Sequence, residues 1–451
     1  MKSRTSYFNA TVLWKNLLRF SPLWGIYTAV LLLVFFSGFV NSYWTRGGLV
    51  EAICSNFSGV GVEPFLYAFV CALVLYGDLY KSSLCNALHA MPLRREGWFL
   101  TNLLSGILFY LIPSLSIALL GTIFALIRDA FDVWYVPLLG MLCDNLSFLC
   151  FFGIAAFSAL CVGSRFAMTL VYLFLNFGFL LISWLIDSLY TSQLYGIRIG
   201  EDWFREYAPV ANSLYVVSAY EDRGVNYVLP EYLPSLLQIA LLGVIFFGFA
   251  LLLYRRRHLE SAGDFMAVQF FKPIFLVMYT LTIGAVFYMD SVLYFIAGIV
   301  LGFFSCQMLL QRTVRVFRAK AFLGAAVFIA VLLVSIFVVR QDPLDVEDWM
   351  PDEDDVESVT LYDGHGKEYS DQITLSRSYE IEDVLLIHDQ ALEDKAPEPR
   401  YDEEGEWEDI PRIDFIIEYH LENGQTVSRY YYLDKTTKAH DILDSYLDKA
   451  S

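Results

Sequence analysis

Long runs of apolar residues, separated by short polar segments, occupy most of this 451-residue chain. A helix needs about 20 such residues to cross the hydrocarbon layer of a bilayer. Runs of this kind lie near residues 22–40, 62–79, 100–127, 136–161, 169–190, 233–254, 273–289, 291–310 and 321–339. The pattern predicts nine transmembrane helices. Only Asp290 and Ser291 separate the seventh run from the eighth, so whether 273–310 is one hairpin of two full spans stays open.

The segment before the first run has the pattern of a helix that lies flat on the membrane. Its apolar residues at helical spacing are Phe8, Val12, Leu13, Leu17 and Phe20, and its polar residues elsewhere on the helix are Lys15, Asn16 and Arg19. Because basic residues are mixed into it, the segment is not a cleavable signal peptide. We expect residues 1–21 to form a cytosolic interfacial helix.

Residues 77–97, with the sequence GDLYKSSLCNALHAMPLRREG, form a polar segment between the second and third runs. A helical arrangement separates its residues into two faces. One face holds Tyr80, Leu84, Ala87, Leu88 and Met91, and the other holds Lys81, Ser82, Cys85, Asn86 and His89. Pro92 ends the helix, and an arginine pair follows. Such a helix at the mouth of a membrane bundle is suited to bind a soluble partner, and a plain basic loop is the alternative.

The positions of lysine and arginine predict the orientation, because cytosolic loops are enriched in both. With the N-terminus inside, the inner segments hold 16 of these residues and the outer loops hold 5. The strongest inner anchors are residues 255–257 and 312–320. Nine crossings from an inner N-terminus place the C-terminus outside the cell.

Composition divides the chain into two bodies. Its 57% hydrophobic content and mean hydropathy of +0.49 exclude an ordinary soluble protein. Residues 340–451 hold 32 acidic and 10 basic residues, a net charge of −22, whereas the first 339 residues carry +4, for a total of −18. All seven cysteines lie in the membrane body. The tail is therefore expected to fold without disulfides.

The acidic tail begins with a linker, residues 340–356, that has no helical or strand period. Residues 357–451 then predict a small extracellular α+β domain. Its strands are expected at 358–362, 373–376, 413–420 and 426–433, and its helices at 381–392 and 437–449. Asn423 and Gly424 predict a hairpin turn between the last two strands. The acidic runs 352–355 and 402–409 are either solvated linkers or sites for calcium or a cationic peptide.

Motifs of enzymes are missing from the sequence. It holds no phosphate-binding loop, no zinc-protease motif and no nucleophile elbow, and its six histidines are too scattered for a metal site. We therefore expect no catalytic residues, no cofactor and no metal. Polar residues within the spans are more informative. Asp144, Asn145, Asn176 and Asp187 either line a substrate path or tie helices together.

The order of these parts, and the residues Leu88-His89-Ala90-Met91-Pro92-Leu93-Arg94-Arg95-Glu96, carry a resemblance. The layout is similar to the six-span permease subunit of type-2 ABC exporters. The nine residues resemble the "(H)-x-L/M-P-x-S/T-R-x-E" turn frequent in such permeases from Gram-positive bacteria, except that Leu93-Arg94 stands where a small hydroxyl residue is common. Three further spans and an extracellular C-terminal domain are similar to a Firmicute subgroup.

The resemblance implies a division into functional parts. Residues 22–254 would be the permease core, with the coupling segment 77–97 and an outer loop at 191–232, and residues 255–339 would add three spans. A separate cytosolic ATPase subunit would hydrolyse ATP-Mg, and a second permease copy or a paralogue would complete the path. The contact residues would be Leu84, Leu88, His89, Met91, Pro92, Arg94, Arg95 and Glu96.

The function that follows is export of a hydrophobic or amphipathic substrate, such as an antimicrobial peptide, drug or lipid-like compound, across the bacterial cell membrane. No feature of the sequence indicates binding to nucleic acid. The alternative is a membrane sensor or accessory protein whose extracellular domain binds a peptide or cell-wall component. An ion-coupled secondary transporter ranks last, because Asp144 alone among the carboxylates lies well within a predicted span.

Overall fold

The computed structural model describes residues 8–44, 62–90, 94–129, 131, 133–197, 208–211, 225–257, 263–288, 292–363, 372–395, 412–434 and 437–447. The helices within these ranges, up to residue 340, are α1 (Ala10–Arg19), α2 (Ser21–Trp44), α3 (Val62–Leu75), α4 (Ser82–Ala90), α5 (Arg95–Ile127), α6 (Val136–Cys161), α7 (Arg165–Gln193), α8 (Val225–Arg256), α9 (Phe271–Phe287), α10 (Val292–Gln311) and α11 (Ala319–Arg340). A sheet and two more helices follow in the C-terminal part.

Within the described ranges, seven helices are long and apolar enough to cross a membrane. They are α2, α5, α6, α7, α8, α10 and α11. The two remaining predicted spans coincide with the shorter apolar helices α3 and α9. The chain is thus a multi-pass helical membrane protein with a small C-terminal sheet domain.

The chain forms two compact units. The first comprises Met1–Ile182, Phe204–Phe287 and Leu293–Ala321, and the second comprises Ser183–Trp203, Tyr288–Val292 and Phe322–Ser451. The second unit therefore includes the end of α7 and most of α11 as well as the sheet domain.

Helix α6 is the centre of the first unit. Every residue from Cys150 to Val162 is buried, and α6 makes its most extensive contact with α8. Two glycines permit this approach: a Cβ on Gly153 would lie 2.3 Å from the carbonyl oxygen of Gly243, and a Cβ on Gly243 would lie 2.5 Å from that of Leu149. Small residues of this kind let two helix backbones pack closely where no hydrophobic effect drives association.

Helix α1 begins at Ala10 and does not present all its polar residues to solvent. Asn9 caps it by accepting a hydrogen bond from the Val12 amide at 3.1 Å. Asn16 donates to Asn102 Oδ1 at 2.8 Å and to Ser105 Oγ at 3.0 Å, both on α5. This polar contact attaches α1 to the bundle.

The C-terminal sheet is antiparallel, with strand order β2-β1-β3-β4. Its elements are β1 (Val356–Asp363), β2 (Gln372–Leu375), α12 (Ser378–Asp394), β3 (Arg412–Leu421), β4 (Thr426–Asp434) and α13 (Lys438–Leu447). The predicted hairpin is confirmed, and Gly424 adopts φ +80°, which a glycine tolerates. The sequence also predicts a turn around residues 363–366, between β1 and β2, and residues 364–366 lie outside the described residues.

Alternate residues of the strands face α12 and α13 and form the core of this domain. The buried members are Val359, Leu361, Phe415, Ile417, Tyr419, Tyr431 and Leu433 from the strands, and Ile381, Val384, Ile387, Ala391 and Leu443 from the helices. His388 also lies in this core and is fully buried.

Two tyrosine hydroxyls form hydrogen bonds with both ring nitrogens of the buried His388 imidazole. Its Nδ1 lies 2.9 Å from the Tyr419 hydroxyl and its Nε2 lies 2.7 Å from the Tyr431 hydroxyl. A neutral imidazole offers one donor and one acceptor, which suits two hydroxyl partners. Burial, with the positive charge of Arg429 as a smaller cause, lowers the pKa of His388 to about 3.

Close packing at Gly153 predicts a steric cost for a larger residue. Gly153→Val forces methyl groups into the Gly243 backbone, which cannot move aside, and we expect a loss of about 1–3 kcal/mol in unfolding free energy. The midpoint of thermal unfolding in detergent should therefore fall by several degrees. Gly248→Val is the matched control, because nothing lies within 4 Å of a Cβ at that position of α8. Equal midpoints for the two variants would refute the close α6–α8 contact.

The neutral His388 predicts a pH dependence of the sheet domain. Below pH 6.5 the unfolded imidazole gains a proton that the folded one, with its pKa of about 3, does not. Stability should thus be complete above pH 6.5 and fall by about 1.4 kcal/mol per pH unit towards pH 3. Hydrogen exchange of β3 and β4 amides in the full-length protein measures this, after correction for intrinsic rates. The slope should be shallower in His388→Gln, and identical slopes would contradict the assignment.

Candidate functional site

The segment predicted to be one amphipathic helix consists of two helical pieces. A 3₁₀ turn spans Gly77–Tyr80, Lys81 has extended backbone angles, and α4 begins at Ser82. The break at Lys81 changes which residues of α4 face the bundle. Cys85, predicted on the polar face, is 2% exposed, whereas Leu84 is 41% exposed.

The exposed surface of α4 combines polar residues with that single leucine. It comprises Lys81, Ser82, Ser83, Leu84 and Asn86, and is called the α4 surface below. Leu88 and His89 belong to α4, but the description does not extend to their side chains. Met91 and Pro92 lie outside the described residues.

A buried arginine attaches this segment to the bundle. Arg257, directly after α8, donates from Nη1 to the carbonyl oxygens of Ala159 at 3.3 Å and Leu160 at 3.2 Å, and from Nη2 to that of Leu79 at 3.5 Å. Nearby, the Tyr80 hydroxyl donates to the same Ala159 oxygen at 3.3 Å. One guanidinium thus joins the ends of α6 and α8 to the 3₁₀ turn before α4.

The start of α5 is attached to the same place. Arg95 Nη1 donates to the carbonyl oxygens of Arg255 at 3.4 Å and Arg257 at 3.2 Å, and Glu96 forms an ion pair with Arg255 at 3.1 Å. Sequence reasoning assigned Arg95 and Glu96 to contacts with a partner. In the structure both contact the end of α8, while Arg94, the residue preceding α5, is exposed.

The polar residues predicted to line a path differ in their contacts and burial. Asn145 donates to Ser114 Oγ at 3.1 Å and to the Met141 carbonyl at 2.7 Å, so it ties α6 to α5. Asn176 is fully buried in α7 and donates to the Tyr172 carbonyl at 2.8 Å. Asp187 is half-buried near the end of α7, in the second unit.

Asp144 has a neighbour that the sequence did not single out. Glu63, the second residue of α3, interacts electrostatically with Asp144, and its carboxylate accepts a hydrogen bond from the Tyr27 hydroxyl. Tyr27 stacks on Tyr67 with ring centroids 4.1 Å apart. Glu63 stands at the start of a predicted span, where a carboxylate usually indicates only the membrane interface. Its hydrogen-bond partner, Tyr27 on α2, is distant in the sequence and comes close only in the folded chain.

An apolar cavity of about 350 Å³ lies elsewhere in the first unit, between α6, α7, α8 and α9. Its lining is Phe157, Cys161, Val171, Phe174, Leu175, Phe246, Phe249, Leu252, Leu253, Met266, Phe271, Ile274 and Phe275. No charged side chain belongs to this lining, so the cavity suits an acyl chain or another apolar group.

Among the described residues, no group of three histidine, cysteine or acidic side chains is placed to hold a metal ion. Comparisons with protein-family models, with curated proteins and with solved structures find no match. The function must be argued from the geometry of the chain itself.

The Arg257 contacts predict a measurable change when they are lost. Arg257→Gln leaves backbone carbonyls unpaired and loosens α4, so buried Cys85 should become accessible more often. Hydrogen bonds to a charged group contribute about 1.5–3 kcal/mol, and we therefore expect Cys85 to react at least about tenfold faster with N-ethylmaleimide. Peptide mass spectrometry after timed alkylation gives this rate.

Arg256→Gln is the matched control, because Arg256 is the neighbouring arginine and its side chain is exposed. It should leave the Cys85 rate unchanged. Equal rates in both variants and in the wild type would show that Arg257 does not hold α4 in place.

Proposed function

We propose that this chain is the membrane permease subunit of an ATP-driven exporter, and that α4 receives the movement of a separate cytosolic ATPase subunit. The observation that carries the proposal is the attachment of α4 on both sides. Leu79 precedes α4 and binds Arg257, while Arg95 and Glu96 follow it and bind the end of α8.

This attachment supports a mechanical role for α4. A force applied to the α4 surface passes directly to the ends of α5, α6 and α8 through hydrogen bonds and an ion pair. Helices α6 and α8 then move together, since their backbones are in contact at Gly153 and Gly243. A loosely connected basic loop would lack such a connection to the bundle.

Charge and exposure support placing the ATPase subunit against the α4 surface on the cytosolic side of the membrane. The excess of lysine and arginine in the segments at this end supports placing it in the cytosol. Leu84 is exposed among polar residues on α4, as expected for a side chain that a soluble partner covers. Arg94 is exposed beside this segment, and Arg95 and Glu96 contact the end of α8.

One observation favours the alternative, a sensor whose sheet domain signals to the spans. Residues directly after α7 add to the edge of the sheet: Ile197 pairs with Arg429, and the Tyr430 amide donates to the Gly196 carbonyl at 3.1 Å. Gly196 has φ +71°, and a Cβ there would overlap the Tyr431 ring. A ligand on the sheet domain would thereby act on the end of α7.

Substitution at the α4 surface tests the proposal. Leu84→Glu should weaken binding of the ATPase subunit at least about tenfold, because it places a charge in a desolvated contact. Candidate ABC ATPase subunits from the same genome are each co-expressed with the chain, and both proteins are reconstituted in vesicles. The measurements are co-purification and the stimulation of ATP hydrolysis by the chain.

Leu344→Glu is the matched control, since Leu344 is 82% exposed in the acidic linker. It should leave both measurements unchanged. Full stimulation by Leu84→Glu would reject α4 as the coupling helix. The absence of any stimulation by the wild-type chain would favour the sensor.

A further inference from the structure

Residue counts along α3 and α6 support placing Glu63 and Asp144 within the hydrocarbon layer. Asp78 lies three residues after the Leu75 end of α3 and is 3.7 Å from Arg19. Because an ion pair of two partly exposed side chains is expected outside the hydrocarbon layer, we place the membrane boundary near this end of α3. Twelve residues of helix then place Glu63 about 18 Å from that boundary, inside a layer about 30 Å thick. Asp144 lies about 12 Å along α6 from Val136.

Neither carboxyl has a positive partner in the part of the chain that the structure describes. The Tyr27 hydroxyl donates to Glu63, and Asp144 has an electrostatic interaction with Glu63 but no hydrogen bond from a described residue. Two such groups at this depth are costly unless something neutralises them. Asp144 is half-buried among the bundle helices.

Aromatic side chains surround the two carboxyl groups. Tyr27 stacks on Tyr67 and lies 5.5 Å from the Tyr110 ring, and Tyr110 stacks on Phe148 with centroids 4.2 Å apart. Asp144 also interacts electrostatically with both Tyr27 and Tyr110. Aromatic faces attract organic cations, particularly where water is displaced.

The composition of this cluster favours an organic cation over a metal ion. A metal site needs several oxygen ligands at short distances, and the described residues provide no third acidic, histidine or cysteine ligand. Aromatic rings beside two carboxylates instead match an amine or quaternary ammonium group on an apolar body.

We propose that Glu63 and Asp144 bind the cationic group of an amphipathic compound, with the rings of Tyr27, Tyr67 and Tyr110 packed around it. The proposal rests on the proposed function only in treating this compound as the exported substrate. Substrates of the chain would then be hydrophobic cations, and neutral compounds of the same shape would bind less well.

Binding of a lipophilic cation to the purified chain tests this site without any ATPase. Radiolabelled tetraphenylphosphonium is equilibrated with the full-length protein in lipid nanodiscs, and empty nanodiscs give the background. Asp144→Asn and Glu63→Gln should each weaken saturable binding at least about tenfold, because each removes one charge from a buried pair. Asp129→Asn, which removes an exposed carboxylate just after α5, should stay within about twofold.

A competition measurement on the wild type avoids any effect of substitution on folding. Unlabelled tetraphenylphosphonium should displace the label, and neutral triphenylphosphine oxide should not. Equal displacement by the neutral compound, or wild-type affinity in both carboxyl variants, would overturn the proposal. Carboxyl-dependent binding of radioactive sodium without binding of the organic cation would overturn it as well. ATP is absent from these binding measurements. A negative result would therefore reject the cation site without rejecting the coupling role of α4, which the Leu84→Glu experiment tests separately.

Discussion

The burial of one guanidinium, that of Arg257, determines how one end of the membrane bundle is built. A buried charge is costly unless hydrogen bonds compensate it, and Arg257 meets this condition with carbonyl oxygens of Leu79, Ala159 and Leu160. Because those carbonyls belong to the segment before α4 and to α6, the ends of three elements must stay together. The α4 surface therefore belongs to a firmly attached helix.

Further from this end of the bundle, small residues keep α6 and α8 in close contact. Gly153 and Gly243 bring α6 and α8 into backbone contact, and Arg95 and Glu96 add the start of α5 to the end of α8. The Glu63 and Asp144 pair lies further along α3 and α6, close to α2 and α5. The proposed site for the cation and the proposed site for the ATPase are thus linked by the same helices.

Much of the architecture could be predicted from the sequence, because its physical causes are local. Apolar runs long enough to cross a bilayer correspond to helices, and Asn423-Gly424 forms the turn between β3 and β4. Contacts between distant segments could not be predicted. The extended backbone of Lys81 rotates α4 so that Cys85 is buried, and no local pattern indicates this. The contacts of Arg95 and Glu96 with the end of α8 join segments that are far apart in the sequence. The same holds for Glu63, which interacts with Tyr27 and Asp144 only in the folded chain.

The side of the membrane on which α4 lies tests the central claim most directly. Leu84→Cys and Leu344→Cys are introduced separately into a cysteine-free chain, and whole cells are treated with a membrane-impermeant maleimide. The account predicts that the cysteine at position 84 reacts only after the membrane is permeabilised, while the cysteine at position 344 reacts in intact cells. Rapid labelling of position 84 in intact cells would contradict it, since a cytosolic ATPase could not then reach α4.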